Sequence, residues 1–463
     1  MKKILFYRIL SIFLIFSIFS SQTHAILTLR EEEIIGKRFL IEVKRKFEFI
    51  KDDFANHYIE ELGNYLLRAV KTKPFSFHFY IINKDIINAF AAPGGNIFIF
   101  AGLIDLTENA DELAAVISHE IGHVTARHLA YRLEKSKKLG ILTVAGMLMG
   151  ALVGGPAGSA IISGSMAASA QMELHYSRDD ERQADELGFK YMIFSRFDPN
   201  AMLTVLKKIT ETSLYSLDKI PPYLLTHPTG PERMSNIKTM LGTYSPLPPT
   251  KEVLYFRKNF PLFKTIVHAN SVDPNVGKKH YEDILKKDPS SPLANLGLGI
   301  IYMRTSEYKK AISHIKKALE MMPDSIPILI NLGKVYQRCG RDVEAVNLFK
   351  KVLDIDDTND SALFLLGVSY ENMKRYKEAI DIFKRLSYFK PVKDEVYYHL
   401  GISYGKIGKL ALAHYNFGIY FSRIYEINKA MFHFFKAKQL AKGDRRLLNE
   451  ISSRLKDLNE LKL

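Results

Sequence analysis

Residues 109–129 read NADELAAVISHEIGHVTARHL, and this stretch decides the fold of the first half of the chain. It begins like a helix, because Asn109 is a favoured N-cap residue and Glu112 follows three residues later, as in a capping box. Apolar residues then recur at helical spacing and give the helix a face for a core. They are Leu113, Val116 and Ile117. The sequence therefore predicts one helix from about Ala110 to Leu129.

The middle of this helix carries side chains that can bind a metal ion. His119 and His123 are four residues apart, so they share one face of the helix, with Cβ atoms about 5–6 Å apart. Two imidazoles at that spacing can bind one Zn²⁺. Glu120 is rotated by about 100° from His119 and can instead reach a water molecule at the metal, as the general base of a metalloprotease does. The HExxH pattern therefore predicts a zinc site, with one ion per chain and Glu120 as the catalytic residue.

A catalytic zinc site needs a third protein ligand and an open position. One known pattern places a histidine ten residues after His119, but this chain has Leu129 there, and His128 is one residue off, about 100° away on a helix. The candidate from elsewhere is Glu181, in the segment ERQAD. Asp185 lies on the same helical face and can accept a hydrogen bond from a ligand imidazole. The alternative is an ordinary acidic helix start.

The segments before the metal helix show both helix and strand patterns. Residues 58–70 have apolar residues at helical spacing, and residues 75–81 alternate as a strand does. A Pro-Gly-Gly turn at 93–95 precedes a second apolar strand at 97–100. We therefore expect an α+β domain that is mostly helical and has a small antiparallel sheet.

The second half of the chain contains an internal repeat. Leu-Gly pairs end at Gly299, Gly333, Gly367 and Gly401, each 34 residues after the one before. A Tyr follows each Gly by three residues and an Ala by twelve, at Tyr302, Tyr336, Tyr370, Tyr404, Ala311, Ala345, Ala379 and Ala413. This register resembles the tetratricopeptide repeat, which implies an all-α solenoid with a concave binding face. The pattern is lost after about Tyr425, where we expect one or two capping helices.

Composition narrows the class of protein. Hydrophobic residues make up 47% and charged residues 25% of 463 residues, which excludes a disordered chain and a polytopic membrane protein. The one cysteine, Cys339, excludes an intramolecular disulfide and a cysteine-based zinc site. The net charge of +15 is spread along the chain and indicates a solvated basic surface. Attraction to anionic lipid head groups or acidic partners is the alternative, and no nucleic acid is expected as a partner.

The N-terminus has the pattern of a secretory signal peptide. Lys2, Lys3 and Arg8 precede an apolar run at 9–19, and small residues lead to Ala25. The run is shorter than the roughly 20 residues that span a bilayer. We predict cleavage after Ala25 and a location in a Gram-negative periplasm. The alternative is an uncleaved N-terminal anchor.

Residues 139–172 contain no charged side chain and are rich in small residues. A Gly-Gly-Pro break at 154–156 divides the segment into halves that are each shorter than a membrane span. One interpretation is a helical hairpin that packs on the protein. The other is a mobile lid that touches the membrane as a peripheral contact.

Two motifs resemble a peptidase family. HEIGHVTARH at 119–128, followed by ERQAD at 181–185, resembles the gluzincin peptidases that include the HtpX heat-shock protease and the CAAX prenyl protease. The stretch from NAFA at 88–91 to Gly102-Leu103 is similar to the segment before the metal helix in that family. The resemblance implies a zincin-like domain with His119, His123 and Glu181 as zinc ligands. This chain lacks the set of transmembrane helices of those two members, so a prenylated substrate is not expected.

The resemblance extends to THPTGPER at 226–233, which is similar to a His-Pro…Arg stretch of the family. It implies that Arg233 binds the oxyanion or a substrate carbonyl. His227 does the same, or it occupies the fourth zinc position and keeps the enzyme latent. The alternative is a loop histidine and an arginine that pairs with an acid. The strand at 97–100 is expected at the edge of the cleft, where an extended substrate adds as a further strand.

These observations predict four segments. They are a signal peptide at 1–25, a zinc metalloprotease domain at 26–245, a linker at 246–260 and a tetratricopeptide-repeat solenoid at 261–463. The combination resembles the periplasmic members of the family that act on unfolded or stalled outer-membrane proteins, with repeats that dock substrate or the assembly machinery. The alternative is a periplasmic chaperone or scaffold whose repeats do the work and whose protease site is latent.

Overall fold

The structure is a computed structural model that describes residues 27–135, 176–215, 221–228, 230–389 and 392–461. The predicted signal peptide and the uncharged segment at 139–172 lie outside the described residues. Within the described residues, no helix is both long enough and apolar enough to cross a membrane. The chain divides into two compact units, Met1–Val267 and His268–Leu463.

The first unit is mostly helical. Its helices are α1 (Leu29–Lys46), α2 (Asp53–Leu66), α3 (Ala101–Leu106), α4 (Ala110–Thr125), α5 (His128–Lys135), α6 (Arg178–Phe194), α7 (Asn200–Tyr215), α8 (Pro222–Thr226), α9 (Pro231–Gly242) and α10 (Lys251–Ser271). Its strands are β1 (His78–Ile82), β2 (Ala89–Ala92) and β3 (Asn96–Phe100). The α+β prediction for this half of the chain is confirmed.

The sheet is mixed, and the prediction of an antiparallel sheet was wrong. The strand order is β1-β3-β2, with β1 parallel and β2 antiparallel to β3. The sequence analysis missed β2 because its residues, Ala-Phe-Ala-Ala, are all buried and show no alternation. As a result β3, the strand predicted at 97–100, has a partner on each side. It is not an edge strand, so it cannot receive a substrate by strand addition.

Aromatic rings fix the sheet against the N-terminal helix. Phe90 of β2 stacks on Phe98 of β3, with ring centroids 4.8 Å apart. Phe39 of α1 meets both rings edge-on at 6.0 and 6.1 Å, a favourable arrangement for aromatic pairs. This core covers one face of the sheet, so β2 and β3 are held rigidly just before α4 begins.

Helix α4 begins as predicted and ends earlier than predicted. The Asn109 side chain accepts a hydrogen bond from the Glu112 backbone N–H at 2.9 Å. The Glu112 carboxylate accepts from the backbone of Glu108 and from Lys208, so the capping box is only half formed. The helix ends at Thr125 rather than at residue 129, because Arg127 adopts a left-handed φ of 55°. A left-handed residue breaks a helix and changes the direction of the chain.

Part of the predicted linker belongs to the first unit. Helix α10 begins at Lys251, inside the segment predicted as a linker at 246–260, and its first turns pack on the rest of that unit. Arg257 donates two hydrogen bonds to Asp111 at 2.7 and 2.8 Å, and Tyr58 donates to the Phe256 carbonyl at 2.8 Å. The sequence analysis placed the boundary too early because three prolines at 246–249 indicated a linker.

The second unit is a series of helix pairs, as the repeat predicts. After α11 (Pro274–Lys287) they are α12 (Pro292–Arg304), α13 (Tyr308–Met321), α14 (Ile326–Arg338), α15 (Asp342–Ile355), α16 (Asp360–Asn372), α17 (Tyr376–Leu386), α18 (Asp394–Lys406) and α19 (Leu410–Arg423). Helices α20 (Ile427–Leu440) and α21 (Arg445–Leu461) follow and pack on α19 through a separate apolar cluster that includes Phe434 and Ile451. They are the expected capping helices.

The repeated glycines mark the points where the two helices of each pair come closest. A Cβ atom on any of them would meet a side chain of the following helix at less than 3.0 Å. The pairs are Gly299–Ile315, Gly333–Phe349, Gly367–Phe383 and Gly401–Phe417. The same packing contact therefore occurs once in each helix pair, which explains the 34-residue period of the glycines.

This contact can be tested on α18, which has two glycines one turn apart. A Cβ on Gly401 would lie 2.7 Å from the Phe417 ring, whereas one on Gly405 would meet only Ala413, at 3.7 Å. We expect Gly401→Ala to destabilise the chain by about 1–3 kcal/mol through overpacking. Gly405→Ala should be neutral or stabilising by up to about 1 kcal/mol, since Ala favours the helix. Chemical denaturation of the full chain, followed by circular dichroism, measures both. Equal effects of the two substitutions would contradict the contact.

Candidate metal centre

Two helices supply the candidate ligands, and glycines let them approach closely. Helix α4 carries the HExxH residues, and α6 carries the ERQAD segment. A Cβ atom on Gly122 would lie 2.8 Å from the Ala184 carbonyl oxygen, and one on Gly188 would lie 3.2 Å from the His119 backbone nitrogen. With no side chain at either position, the backbones are in contact, and a short carboxylate on α6 can reach imidazoles on α4.

Four of the predicted residues meet at this contact. His119, His123, Glu181 and His227 each offer one ligand atom, and these atoms lie within 4.8 Å of one another. His119 Nε2 lies 3.0 Å from His123 Nε2 and 3.5 Å from Glu181 Oε2. Glu181 Oε1 lies 3.4 Å from His123 Nε2. All four side chains are buried.

These distances fit a zinc ion. Zinc bound tetrahedrally at about 2.0–2.1 Å separates its ligand atoms by about 3.4 Å, which is close to the spacings within this group. Two bare imidazole nitrogens that face each other at 3.0 Å repel unless a proton or a cation lies between them. A set of three imidazoles and a carboxylate also matches the ligands that zinc prefers. The residues present therefore fit a zinc site.

Glu120 lies next to this group without joining it. Its side chain is fully buried, and within the described residues neither carboxylate oxygen accepts a hydrogen bond. Glu120 Oε1 lies 3.6 Å from His227 Nε2. Burial raises the pKa of the Glu120 carboxyl, because a low-dielectric environment disfavours the charged form. Glu120 is thus a proton acceptor with raised basicity and free lone pairs.

Arg233 lies behind the ligand group, paired with two acids. Its guanidinium donates to both Asp185 oxygens at 2.7 and 2.9 Å, and it lies 2.6 Å from Glu181 Oε2. Asp185 Oδ1 is in turn 2.9 Å from His119 Nδ1, the contact that the sequence predicts for it. Arg233 therefore has the carboxylate partners of the alternative interpretation, and its charge is directed at the ligands rather than at an oxyanion.

The charges around Glu181 keep it ionised. Burial by itself raises the pKa of this carboxyl, but the charges of Arg233 and His227 and the hydrogen bonds from the two HExxH imidazoles outweigh it and hold the pKa well below its usual range. For His123, burial is the largest effect and lowers the pKa well below its usual value. An ionised carboxylate and a neutral imidazole are the forms that bind a metal.

His227 comes from the loop after α8 and completes the group. Its Nδ1 atom lies 2.9 Å from Glu181 Oε1 and 3.4 Å from His119 Nε2. Its ring stacks on Tyr223, with centroids 4.5 Å apart. The structure thus places a ring nitrogen of His227 within the same group of possible ligand atoms as His119, His123 and Glu181.

The sequence analysis missed three residues at this site. Tyr176 is buried and stacks on His123, with ring centroids 3.8 Å apart. His128 Nδ1 lies 2.9 Å from His123 Nδ1, and His128 Nε2 lies 2.9 Å from Gln183 Oε1. A continuous helix would turn His128 away from the metal, so only knowledge of the left-handed Arg127 could have revealed this contact.

The chain is similar to known metalloproteases. Residues 53–241 match the model of Peptidase family M48, and residues 272–326 match a tetratricopeptide repeat model. The beta-barrel assembly-enhancing protease of Yersinia pestis is 36% identical over 227 residues, 48% of this chain and 46% of that protein. A putative beta-barrel assembly-enhancing protease of Vibrio cholerae is 30% identical over 290 residues, 62% of this chain and 59% of that protein.

A more distant relative comes from a different setting. The mitochondrial metalloendopeptidase OMA1 of Arabidopsis thaliana is 31% identical over 160 residues, 34% of this chain and 30% of that protein. The chain thus spans about half the length of the first curated relatives that it matches. The resemblance to a metalloprotease with C-terminal repeats is confirmed by these matches.

Metal content tests the role of Glu181. We expect Glu181→Gln to weaken zinc binding by about 10- to 100-fold or more, since an amide oxygen replaces an anionic ligand. Glu186→Gln is the matched control, because Glu186 is exposed on the same helix. Zinc is measured by mass spectrometry after dialysis and by competition with a chelator. Equal zinc affinity of the two variants would remove Glu181 from the ligand set.

Proposed function

We propose that this chain, whose residues 53–241 form a Peptidase family M48 metalloprotease domain followed by tetratricopeptide repeats, is a zinc-dependent endopeptidase. The single observation that supports this most strongly is the position of Glu120. It is a buried carboxylate with free oxygens, directly beside three imidazoles and a carboxylate that fit one zinc ion. A purely structural metal site has no use for an unpaired acid at that place.

In the proposed reaction, His119, His123 and Glu181 hold the zinc ion, which when bound supplies a Lewis acid for the water molecule and the peptide carbonyl. Glu120 accepts the proton of the attacking water, because burial has raised its pKa, and then delivers that proton to the leaving amine. The buried rings of Tyr176 and Tyr223 stack on His123 and His227 and shield these imidazoles from bulk solvent.

The two residues predicted to bind the oxyanion are assigned different roles in the proposal. Arg233 positions Glu181 and Asp185 through its ion pairs. His227 occupies the fourth position of the ligand group and must leave it, or share it, when a substrate carbonyl binds. His227 directly follows α8, as the residue that caps its C-terminal end.

The proposed substrates are unfolded or stalled outer-membrane proteins, and the proposed location is the periplasm. Support comes from the bacterial relatives, which are named for beta-barrel assembly, and from the signal-peptide pattern with its expected cleavage after Ala25. The repeats are proposed to dock the substrate or the assembly machinery, since solenoids of this type expose a concave binding face.

A second candidate function is a chaperone or scaffold. The length of the solenoid favours it, because the helix pairs from α11 to α21 form a unit as large as many binding proteins. In that case the repeats bind outer-membrane proteins and the protease site is latent, with His227 in the fourth position. The two functions differ in their dependence on Glu120.

The substitution Glu120→Gln distinguishes the endopeptidase from the chaperone or scaffold. This substitution keeps the shape of the side chain and removes the proton acceptor, so zinc and fold should be retained. We expect cleavage of an unfolded outer-membrane β-barrel protein to fall by at least about 100-fold, the usual contribution of general base catalysis. Gel electrophoresis of timed digests measures the rate.

Glu186→Gln serves as the control and should cleave at the wild-type rate. The corresponding test in cells uses a strain that lacks the chain and has an outer-membrane defect. Complete rescue of that defect by Glu120→Gln would establish the scaffold function and overturn the proteolytic one.

A further inference from the structure

A line of three side chains leads from the candidate metal position to the protein surface. His123 presents Nε2 to the ligand group, and its other nitrogen, Nδ1, lies 2.9 Å from His128 Nδ1. His128 Nε2 lies 2.9 Å from Gln183 Oε1. Both histidines are buried, whereas Gln183 is exposed on α6. The line therefore joins a metal ligand on α4 to a residue of the helix that supplies Glu181.

Only one arrangement of protons fits both this line and metal binding. A ring nitrogen that binds a metal has no proton, so a neutral His123 with a bare Nε2 carries its proton on Nδ1. That N–H can donate to His128 only if His128 Nδ1 is bare. The His128 proton then lies on Nε2, and Gln183 Oε1 accepts it. Each of the two hydrogen bonds has one donor and one acceptor in this arrangement, and His123 Nε2 is left bare.

The reverse arrangement is unfavourable. It would place a proton on His123 Nε2, 3.0 Å from His119 Nε2, where it would block the ligand position. It would also leave His128 Nε2 without a proton although Asp180 Oδ1 lies only 3.8 Å away. A carboxylate at that distance favours a nitrogen that carries a proton. Asp180 therefore favours the same arrangement of protons, with the His128 proton on Nε2.

The backbone explains why His128 reaches this position. Arg127, with its φ of 55°, interrupts the helix between α4 and α5 and turns the chain back toward His123. Arg127 donates to the buried Glu32 carboxylate at 2.9 and 3.0 Å. This ion pair holds Arg127 in the left-handed conformation, which is unfavourable for a non-glycine residue.

We propose that His128 and Gln183 are positioning residues of the metal site, which hold His123 in the tautomer and orientation that leave its Nε2 free for the metal. The inference rests on the proposed function, since it concerns the same zinc site. It assigns a role to His128, the second histidine of the segment HVTARH, which the ligand set alone does not use.

Two substitutions of His128 test the proposal in the full mature chain. His128→Asn places an amide oxygen near the position of the imidazole Nδ1 and can still accept the His123 N–H. His128→Phe keeps a ring of similar size and has no acceptor. We expect His128→Phe to weaken zinc binding by about 10- to 100-fold, and His128→Asn to stay within about threefold of the wild type. Competition with a chromophoric chelator at fixed pH measures the affinity of each variant.

A pair of substitutions at the exposed Gln183 avoids any effect of core packing. Gln183→Leu removes the outer acceptor and should weaken zinc binding several-fold, whereas Gln183→Glu keeps the acceptor and should bind zinc at least as tightly as the wild type. Thermal melting of the metal-free variants checks that the fold is retained. A loss of affinity caused by packing alone would be at least as large for His128→Asn, which shortens a buried side chain, as for His128→Phe, and it would be absent at position 183.

The outcomes separate this inference from the proposed function. If the wild-type chain binds no zinc, the proposed function fails and the positioning role fails with it. If the wild type binds zinc but His128→Phe and Gln183→Leu bind it equally well, the positioning role is overturned while the protease assignment stands.

Discussion

Two helices can share one metal ion only if their backbones lie close enough for short side chains to meet. The candidate site in the first unit depends on this constraint. Gly122 of α4 and Gly188 of α6 satisfy it, because a Cβ atom at either position would press on the backbone of the other helix. The carboxylate of Glu181 then reaches the imidazoles of α4. A larger side chain at either glycine would push the two helices apart and so increase the distances between the ligand atoms, although no ligand itself would be changed.

Burial of the site makes its charged side chains costly, and the arrangement of these charges reduces that cost. Glu120, Glu181 and Asp185 are buried acids, and Arg233 is the buried cation that pairs with two of them. Unpaired charges in such surroundings cost several kcal/mol each. A divalent cation at the four candidate ligand atoms would add positive charge beside these acids. The role of Arg233 follows from its position: its positive charge lies next to the Glu181 carboxylate and keeps this candidate ligand ionised.

The sequence predicts parts of the site that depend on local periodicity and misses those that depend on a single backbone angle. The i, i+4 spacing of His119 and His123 and the 34-residue repeat both follow from helix geometry, so both could be predicted. The mixed sheet could not, because the strand at 89–92 is short and buried throughout and has no alternating pattern. The contact of His128 was also hidden, since it requires a left-handed Arg127, a conformation that the residue type does not favour.

In both units, glycines allow two helices to pack closely, but the consequences of this packing differ. In the solenoid, a glycine that receives a large side chain recurs from Gly299 to Gly401, and each contact stabilises mainly its own repeat and the neighbouring ones. Damage to one contact is therefore local, and the exposed faces of the repeats are free to fit a partner. In the first unit the glycines at the α4–α6 contact serve one candidate site, and the distances between helices α4 and α6 there depend on them. Sequence changes are thus easier to accommodate on the exposed faces of the repeats than at this contact.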